Sequence, residues 1–166
     1  KTAYEIGTGD WSSDVCSSDL HQEIVRLYED YSFHQIYQKV HQFCVLEMGA
    51  FYLDVLKDRM YTMPTASRGR RSAQTVMFHI LESLVRWLAP MLSFTAEEIW
   101  QHMPGARKES VFLSTWHRLP EVEPVSSGMD LAFWDRVLAV REAVSKELER
   151  LRIAGGIGSS LDAEVD

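Results

Sequence analysis

The side chains best suited to chemistry in this sequence form a basic cluster between residues 57 and 71. Its five cations are Lys57, Arg59, Arg68, Arg70 and Arg71. Asp58 is the only acidic residue among them, so the segment carries a local charge of +4. Lysine and arginine neutralise phosphate groups, and binding that depends on them weakens as the salt concentration rises. The cluster therefore predicts a specific anionic partner.

Two tyrosines adjoin the basic cluster. Tyr52 precedes it and Tyr61 lies within it. Aromatic rings stack on unpaired bases in single-stranded RNA loops, and cations interleaved with such rings are typical of an RNA contact. The alternative is that the cations are solvated helix ends with local ion pairs, and both interpretations fit the composition.

The remaining candidates predict neither a catalytic site nor a metal site. His34 and His41 share a helix face, but two ligands do not complete a metal site. Glu97 and Glu98 point in different directions on a helix, and first-turn capping accounts for both. Cys44 falls on an apolar face, where we expect a small buried side chain without a neighbouring base to activate it.

The composition is that of an ordinary soluble globular protein, with 46% hydrophobic and 25% charged residues. It excludes a mainly disordered chain, a collagen-like chain and a disulfide scaffold. Two cysteines are too few for a four-cysteine zinc site, and no apolar run approaches the roughly 18–20 residues of a membrane-spanning helix. The net charge of −7 argues against nonspecific coating of nucleic acid but is compatible with a local basic cluster.

The first twenty residues, KTAYEIGTGDWSSDVCSSDL, differ from the rest of the chain. They have no apolar periodicity and lack the basic start and apolar run of a secretory signal. One interpretation is a disordered tail. We favour another: the segment back-translates to the two constant parts of an indexed DNA-sequencing adapter, separated by a stretch of the length of an index. Excluding it leaves one cysteine and a net charge of −4 over residues 21–166.

Residues 21–153 predict an all-α fold, a helical bundle, because apolar residues recur at spacings of three and four. The predicted helices cover residues 21–31, 32–60, 70–90, 95–102 and 131–152. Ser32 and Thr95 are the predicted N-caps, and Thr95 would form a capping box with Glu98. The predicted apolar stripe of the second helix is Phe33, Ile36, Val40, Phe43, Cys44, Met48, Phe51 and Val55. Residues 154–166 are expected to begin a truncated C-terminal extension.

Several tracts together resemble one family closely. They are residues 43–48 (FCVLEM), 51–62 (FYLDVLKDRMYT), 70–75 (RRSAQT), 85–100 (VRWLAPMLSFTAEEIW) and 156–161 (GIGSSL). In order and spacing this chain is similar to the anticodon-binding region of bacterial isoleucyl-tRNA synthetases, which are class I aminoacyl-tRNA synthetases. The resemblance covers essentially all of residues 21–166.

The resemblance implies a ligase that joins isoleucine to its tRNA at the expense of ATP. The His-x-Gly-His and Lys-Met-Ser-Lys signatures of the catalytic domain do not occur in this sequence, and neither the editing domain nor the Cys-rich zinc module is recognisable. We therefore expect a fragment that binds tRNA, holds no cofactor and does not aminoacylate alone. ATP, zinc and the catalytic domain are expected for the parent enzyme, a cytoplasmic monomer without membrane contact.

The resemblance also assigns roles to the basic cluster. The implied tRNA contacts are Lys57, Arg59, Arg70 and Arg71, with Tyr52 and Tyr61 as stacking candidates. Asp58 is expected to orient Arg59. The implied core residues of the most recognisable tract are Trp87, Pro90, Phe94 and Trp100. Two alternatives remain open: the anticodon-binding part of a valyl-tRNA synthetase, and a non-catalytic helical scaffold for protein interactions.

Overall fold

The computed structural model describes residues 18–119, 131–159 and 162–163, and these residues form helices and turns without a strand. The α-helices are α1 (Ser18–Glu29), α2 (Phe33–Gln42), α3 (Leu53–Thr62), α4 (Arg68–Leu88), α5 (Ser93–His102) and α6 (Leu131–Ile153). A π-helical segment, Phe43–Tyr52, joins α2 to α3, and a 3₁₀ turn covers Val111–Leu113. The predicted all-α class is confirmed.

The chain divides into two compact units, Lys1–Glu123 and Pro124–Asp166. The predicted helical domain over residues 21–153 therefore includes parts of both. Helix α1 begins at Ser18, before the predicted start at residue 21, and Leu20 packs against the core. The structure does not describe residues 1–17, where most of the predicted adapter-encoded segment lies.

The core of the first unit lies on both sides of α4. On one side Trp87 packs with Ile24, Leu27, Ile36 and Val40 from α1 and α2. The indole Nε1 of Trp87 donates to His21 Nδ1 at 3.0 Å, and the Tyr28 hydroxyl donates to the Trp87 carbonyl. A second cluster joins α4 to α5 and the 3₁₀ turn, and consists of Val85, Ala89, Ala96, Trp100, Met103 and Val111. Helix α4 is thus the central element that fixes its neighbours.

The π-helical segment shifts the buried face of the helical run over residues 33–62. Its i→i+5 hydrogen bonds place more residues in each turn than an α-helix has. The buried positions therefore step by five, from Phe43 to Met48, before continuing at Tyr52 and Leu56. The predicted stripe is correct at Ile36, Val40, Phe43 and Met48, but it is wrong at Phe33, which is 44% exposed, at Cys44 and beyond Met48. Phe51 is only half-buried, while Val55 and Cys44 are exposed.

Some predicted details of α5 are wrong. The helix begins at Ser93 after Leu92, without a side-chain cap, so Thr95 is not the N-cap. Trp87 and Trp100 are buried as predicted, whereas Pro90 is exposed and Phe94 has 93% of its surface exposed. Glu97 instead accepts hydrogen bonds from Ser110 Oγ at 2.8 Å and the Val111 amide at 3.1 Å. This carboxylate therefore holds the following loop against α5.

The second unit contains α6, which confirms the last predicted helix. The side chains of Leu131 and Trp134 lie outside the described part of the structure. The helix ends in a Schellman motif: the Gly156 amide donates to the Leu151 carbonyl and the Gly155 amide to the Arg152 carbonyl. Gly155 has a φ of +73°, which only glycine adopts readily. The end of α6 thus has a geometric cause.

Candidate nucleic-acid interface

The basic cluster lies at the corner where α3 ends and α4 begins. Ser67 caps α4 by accepting from the Arg70 amide at 3.3 Å, and its own amide donates to the Pro64 carbonyl at 2.9 Å. Arg70 Nη1 donates to the Met63 carbonyl at 3.1 Å. Gly69 is buried, and a Cβ there would meet the Met63 sulfur at 3.3 Å. These contacts bring the basic residues of two helices to one corner.

Exposed members of the cluster are suited to contact a nucleic-acid backbone. Lys57 and Arg71 are exposed, as is Arg68, which the sequence-based list of contacts omitted. Lys57 Nζ lies 2.7 Å from Asp54 Oδ1, and this hydrogen bond and the charge of Asp54 raise the pKa of Lys57. Tyr61 is 85% exposed. Its ring is therefore available for stacking on a base.

Two predicted contacts lie in the interior. Tyr52 is 2% exposed and Arg59 is 6% exposed. Since the Tyr52 ring offers no accessible face in this conformation, its burial argues against the predicted stacking role. The expected pairing of Asp58 with Arg59 is wrong, because no ion pair links them in the described structure. The shifted phase of the π-helical segment explains why both side chains turn inward.

A second charged network, which sequence reasoning missed, holds the loop after α5. Glu82 pairs with Arg86 on its own helix and, at 3.2 Å, with Arg107 Nη2. The guanidinium carbons of Arg86 and Arg107 lie 4.8 and 4.6 Å from the centroid of Trp100. Burial raises the pKa of Glu82, but the hydrogen bonds and charges of both arginines outweigh it and hold that pKa below its usual value. The Glu82–Arg86 spacing was a signal for part of this network.

The same network lines a cavity of about 300 Å³. Arg86 Nε donates to the Thr115 carbonyl at 3.0 Å, and Lys108 Nζ donates to the Leu113 carbonyl. His117, which also lines the cavity, lies against His79, with their ring nitrogens 3.0 Å apart. Because these cations have carbonyl or carboxylate partners and hold the loop in place, the network acts structurally.

The described residues include no group of three or more His, Cys, Asp or Glu side chains arranged to hold a metal ion. The zinc that the resemblance implies for the parent enzyme therefore finds no ligand set among them. In the same part of the chain, none of the helices has the length and apolar character needed to cross a membrane.

Comparison with known proteins agrees with the resemblance. The family described as the anticodon-binding domain of tRNA ligase matches residues 17–166. The isoleucine–tRNA ligase of Nitrosococcus oceani is 61% identical over 158 residues, which cover 94% of this chain and 16% of that protein. Those of Methylococcus capsulatus and Halorhodospira halophila are 60% and 59% identical, over 89% of this chain and 16% of each relative. The chain thus spans about a sixth of the length of these relatives, and it belongs to the anticodon-binding domain family of tRNA ligases.

Proposed function

We propose that this chain binds the anticodon stem-loop of an isoleucine-accepting tRNA as part of a cytoplasmic isoleucine–tRNA ligase. The observation that carries the proposal is the exposed basic corner between α3 and α4 in a chain of this family. Its isoleucine specificity is supported by the names of the relatives, so the valyl and scaffold alternatives are not favoured.

In this role the chain's own residues recognise RNA and perform no bond chemistry. Lys57, Arg68 and Arg71 would neutralise backbone phosphates, which gives binding its salt dependence. Tyr61 would stack on an unpaired base of the loop. Recognition at the anticodon would favour the cognate tRNA whose acceptor end reaches the catalytic domain of the same polypeptide. ATP and the aminoacylation step belong, in this proposal, to that domain, and the parent enzyme acts as a monomer.

The proposal can be tested by fluorescence-anisotropy titration of the 166-residue chain with isoleucine-accepting tRNA and a noncognate tRNA at two salt concentrations. We expect preference for the cognate tRNA and weaker binding at high salt. Arg71→Gln should weaken binding, whereas Arg26→Gln, an equal charge change at an exposed position of α1, should not. Binding that is independent of salt, or equal in both variants, would contradict the proposal.

A further inference from the structure

Arg59 is a buried cation without a partner. Its side chain lies on α3 with 6% of the residue surface exposed, and its Nη1 has no hydrogen bond. No carboxylate of the described residues forms an ion pair with it. An arginine side chain remains charged in proteins, and a buried charge that lacks both a counterion and hydrogen bonds is strongly unfavourable. The free protein therefore holds a charge that an added anion would stabilise.

A second unsatisfied donor belongs to Arg70, in the first turn of α4. The Nε of Arg70 is buried without a hydrogen-bond partner, while Nη1 of the same side chain is held by the Met63 carbonyl. Arg59 lies in the last turn of α3, and Met63 directly follows the end of that helix. Two guanidinium groups with unused N–H donors thus belong to the same corner, one from each helix.

The charges around this corner favour an anion of the nucleic-acid backbone. Lys57, Arg68 and Arg71 are exposed cations nearby in sequence, and the carboxylate of Asp54 is paired with Lys57. Asp58 is the remaining acidic side chain of the segment, and it is exposed. A guanidinium presents parallel N–H donors that match two oxygens of one phosphate. A phosphodiester therefore fits both the unused donors and the positive surroundings.

We propose that Arg59 and Arg70 form a socket for one backbone phosphate of the bound RNA, and that the socket opens when RNA binds. This inference rests on the proposed function and adds a specific phosphate contact to it. Arg59 is buried and unpaired in the free state. Removal of its charge should therefore stabilise the free chain and weaken its binding to RNA. A purely structural arginine would not behave in this way.

The first test compares Arg59→Met, Arg59→Lys and Arg71→Met of the full 166-residue chain by thermal unfolding and RNA titration. We expect Arg59→Met to raise the Tm of the free chain and to weaken RNA binding by about tenfold. Arg59→Lys, which keeps the charge, should bind RNA with intermediate affinity. A lower Tm with unchanged affinity would identify Arg59 as structural and overturn the socket. If Arg59→Met does not fold, unchanged binding by Arg59→Lys overturns it as well.

The second test identifies the phosphate. Anticodon stem-loops with one uncharged methylphosphonate at successive positions are titrated against the wild type and Arg59→Met. One position should weaken binding to the wild type by about tenfold and have no further effect on Arg59→Met. If the methylphosphonate and Arg59→Met weaken binding additively at every position, the socket is overturned. The proposed function still stands in that case if Arg71→Met weakens binding. Failure of the wild type to bind any stem-loop contradicts both proposals.

Discussion

His79 Nδ1 lies 3.0 Å from His117 Nε2, and the two imidazole rings stack with their centroids 5.3 Å apart. This pair links the middle of α4 to the loop that follows the 3₁₀ turn. One ring must donate and the other accept, so the hydrogen bond requires at least one neutral imidazole. Arg86, Glu82 and His21 are the other ionisable groups whose charges act on His117.

The first prediction concerns pH. Burial lowers the pKa of His117 below 6.5, and the charges of Arg86 and His79 lower it further. The unfolded chain therefore binds this proton more readily, and the free energy of unfolding should fall as the pH decreases below about 6.5. Urea unfolding between pH 7.5 and 5.5 measures the effect. His117→Phe should reduce the slope, whereas His34→Gln, at an exposed position, should leave it unchanged. Equal slopes in wild type and His117→Phe would contradict the role of the pair.

The second prediction concerns Glu82, whose carboxylate separates the guanidinium groups of Arg86 and Arg107. Glu82→Gln should lower the free energy of unfolding by about 3–5 kcal/mol, because two largely buried cations then lose their counterion. Chemical denaturation at neutral pH provides the measurement. The matched control is Glu147→Gln, which removes an exposed ion pair with Arg150 and should change stability little. If Glu82→Gln is as stable as the wild type, the network contributes nothing to the free energy of unfolding.

The third prediction separates the two tyrosines of the basic cluster. Tyr52→Ala should cost about 3–5 kcal/mol of stability because it removes a buried aromatic ring. Tyr61→Ala should leave stability within about 0.5 kcal/mol of the wild type and weaken RNA binding by about tenfold. Denaturation and anisotropy titrations of both variants provide the comparison. A loss of stability in Tyr61→Ala, or RNA binding that is unaffected by it, would remove Tyr61 from the interface.

The contrast between these tyrosines also shows what the sequence could predict. Periodicity was sufficient for the helical class and for the burial of Ile36, Val40 and Phe43. Beyond Phe43, an α-helical period predicts the wrong buried positions, because the π-helical segment has an extra residue in its turn. That change turns Tyr52 inward, and no residue type in the segment signals it.

The structure also joins residues that no local pattern connects. Arg107 reaches Glu82 from a loop 25 positions later in the chain, and Trp100 Nε1 donates to the Lys108 carbonyl at 2.9 Å. Such contacts depend on how α4 and α5 pack, which spacing rules within one helix do not specify. The location of the basic corner was nevertheless predictable, because a helix-breaking Pro64 separates two runs that each contain cations.

The fourth prediction uses the ion pair between Lys57 and Asp54, whose side chains are 65% and 64% exposed. Asp54→Asn should tighten RNA binding several-fold at low salt, because it removes a negative charge near the phosphates and releases Lys57 to contact them. Lys57→Gln should weaken binding and reduce the slope of log affinity against log salt by about one. Titrations over a salt series measure both effects.

The control for this prediction is Glu149→Gln, which releases Arg152 on α6 with the same change in net charge. If Glu149→Gln tightens binding as much as Asp54→Asn, the RNA responds to overall charge, and the corner between α3 and α4 is not the binding surface. If Asp54→Asn weakens binding, the carboxylate positions Lys57 for the RNA rather than competing with it. A gain that is confined to Asp54→Asn and that persists at physiological salt places the phosphates beside Lys57, because screening at that salt concentration limits such an effect to about 8 Å.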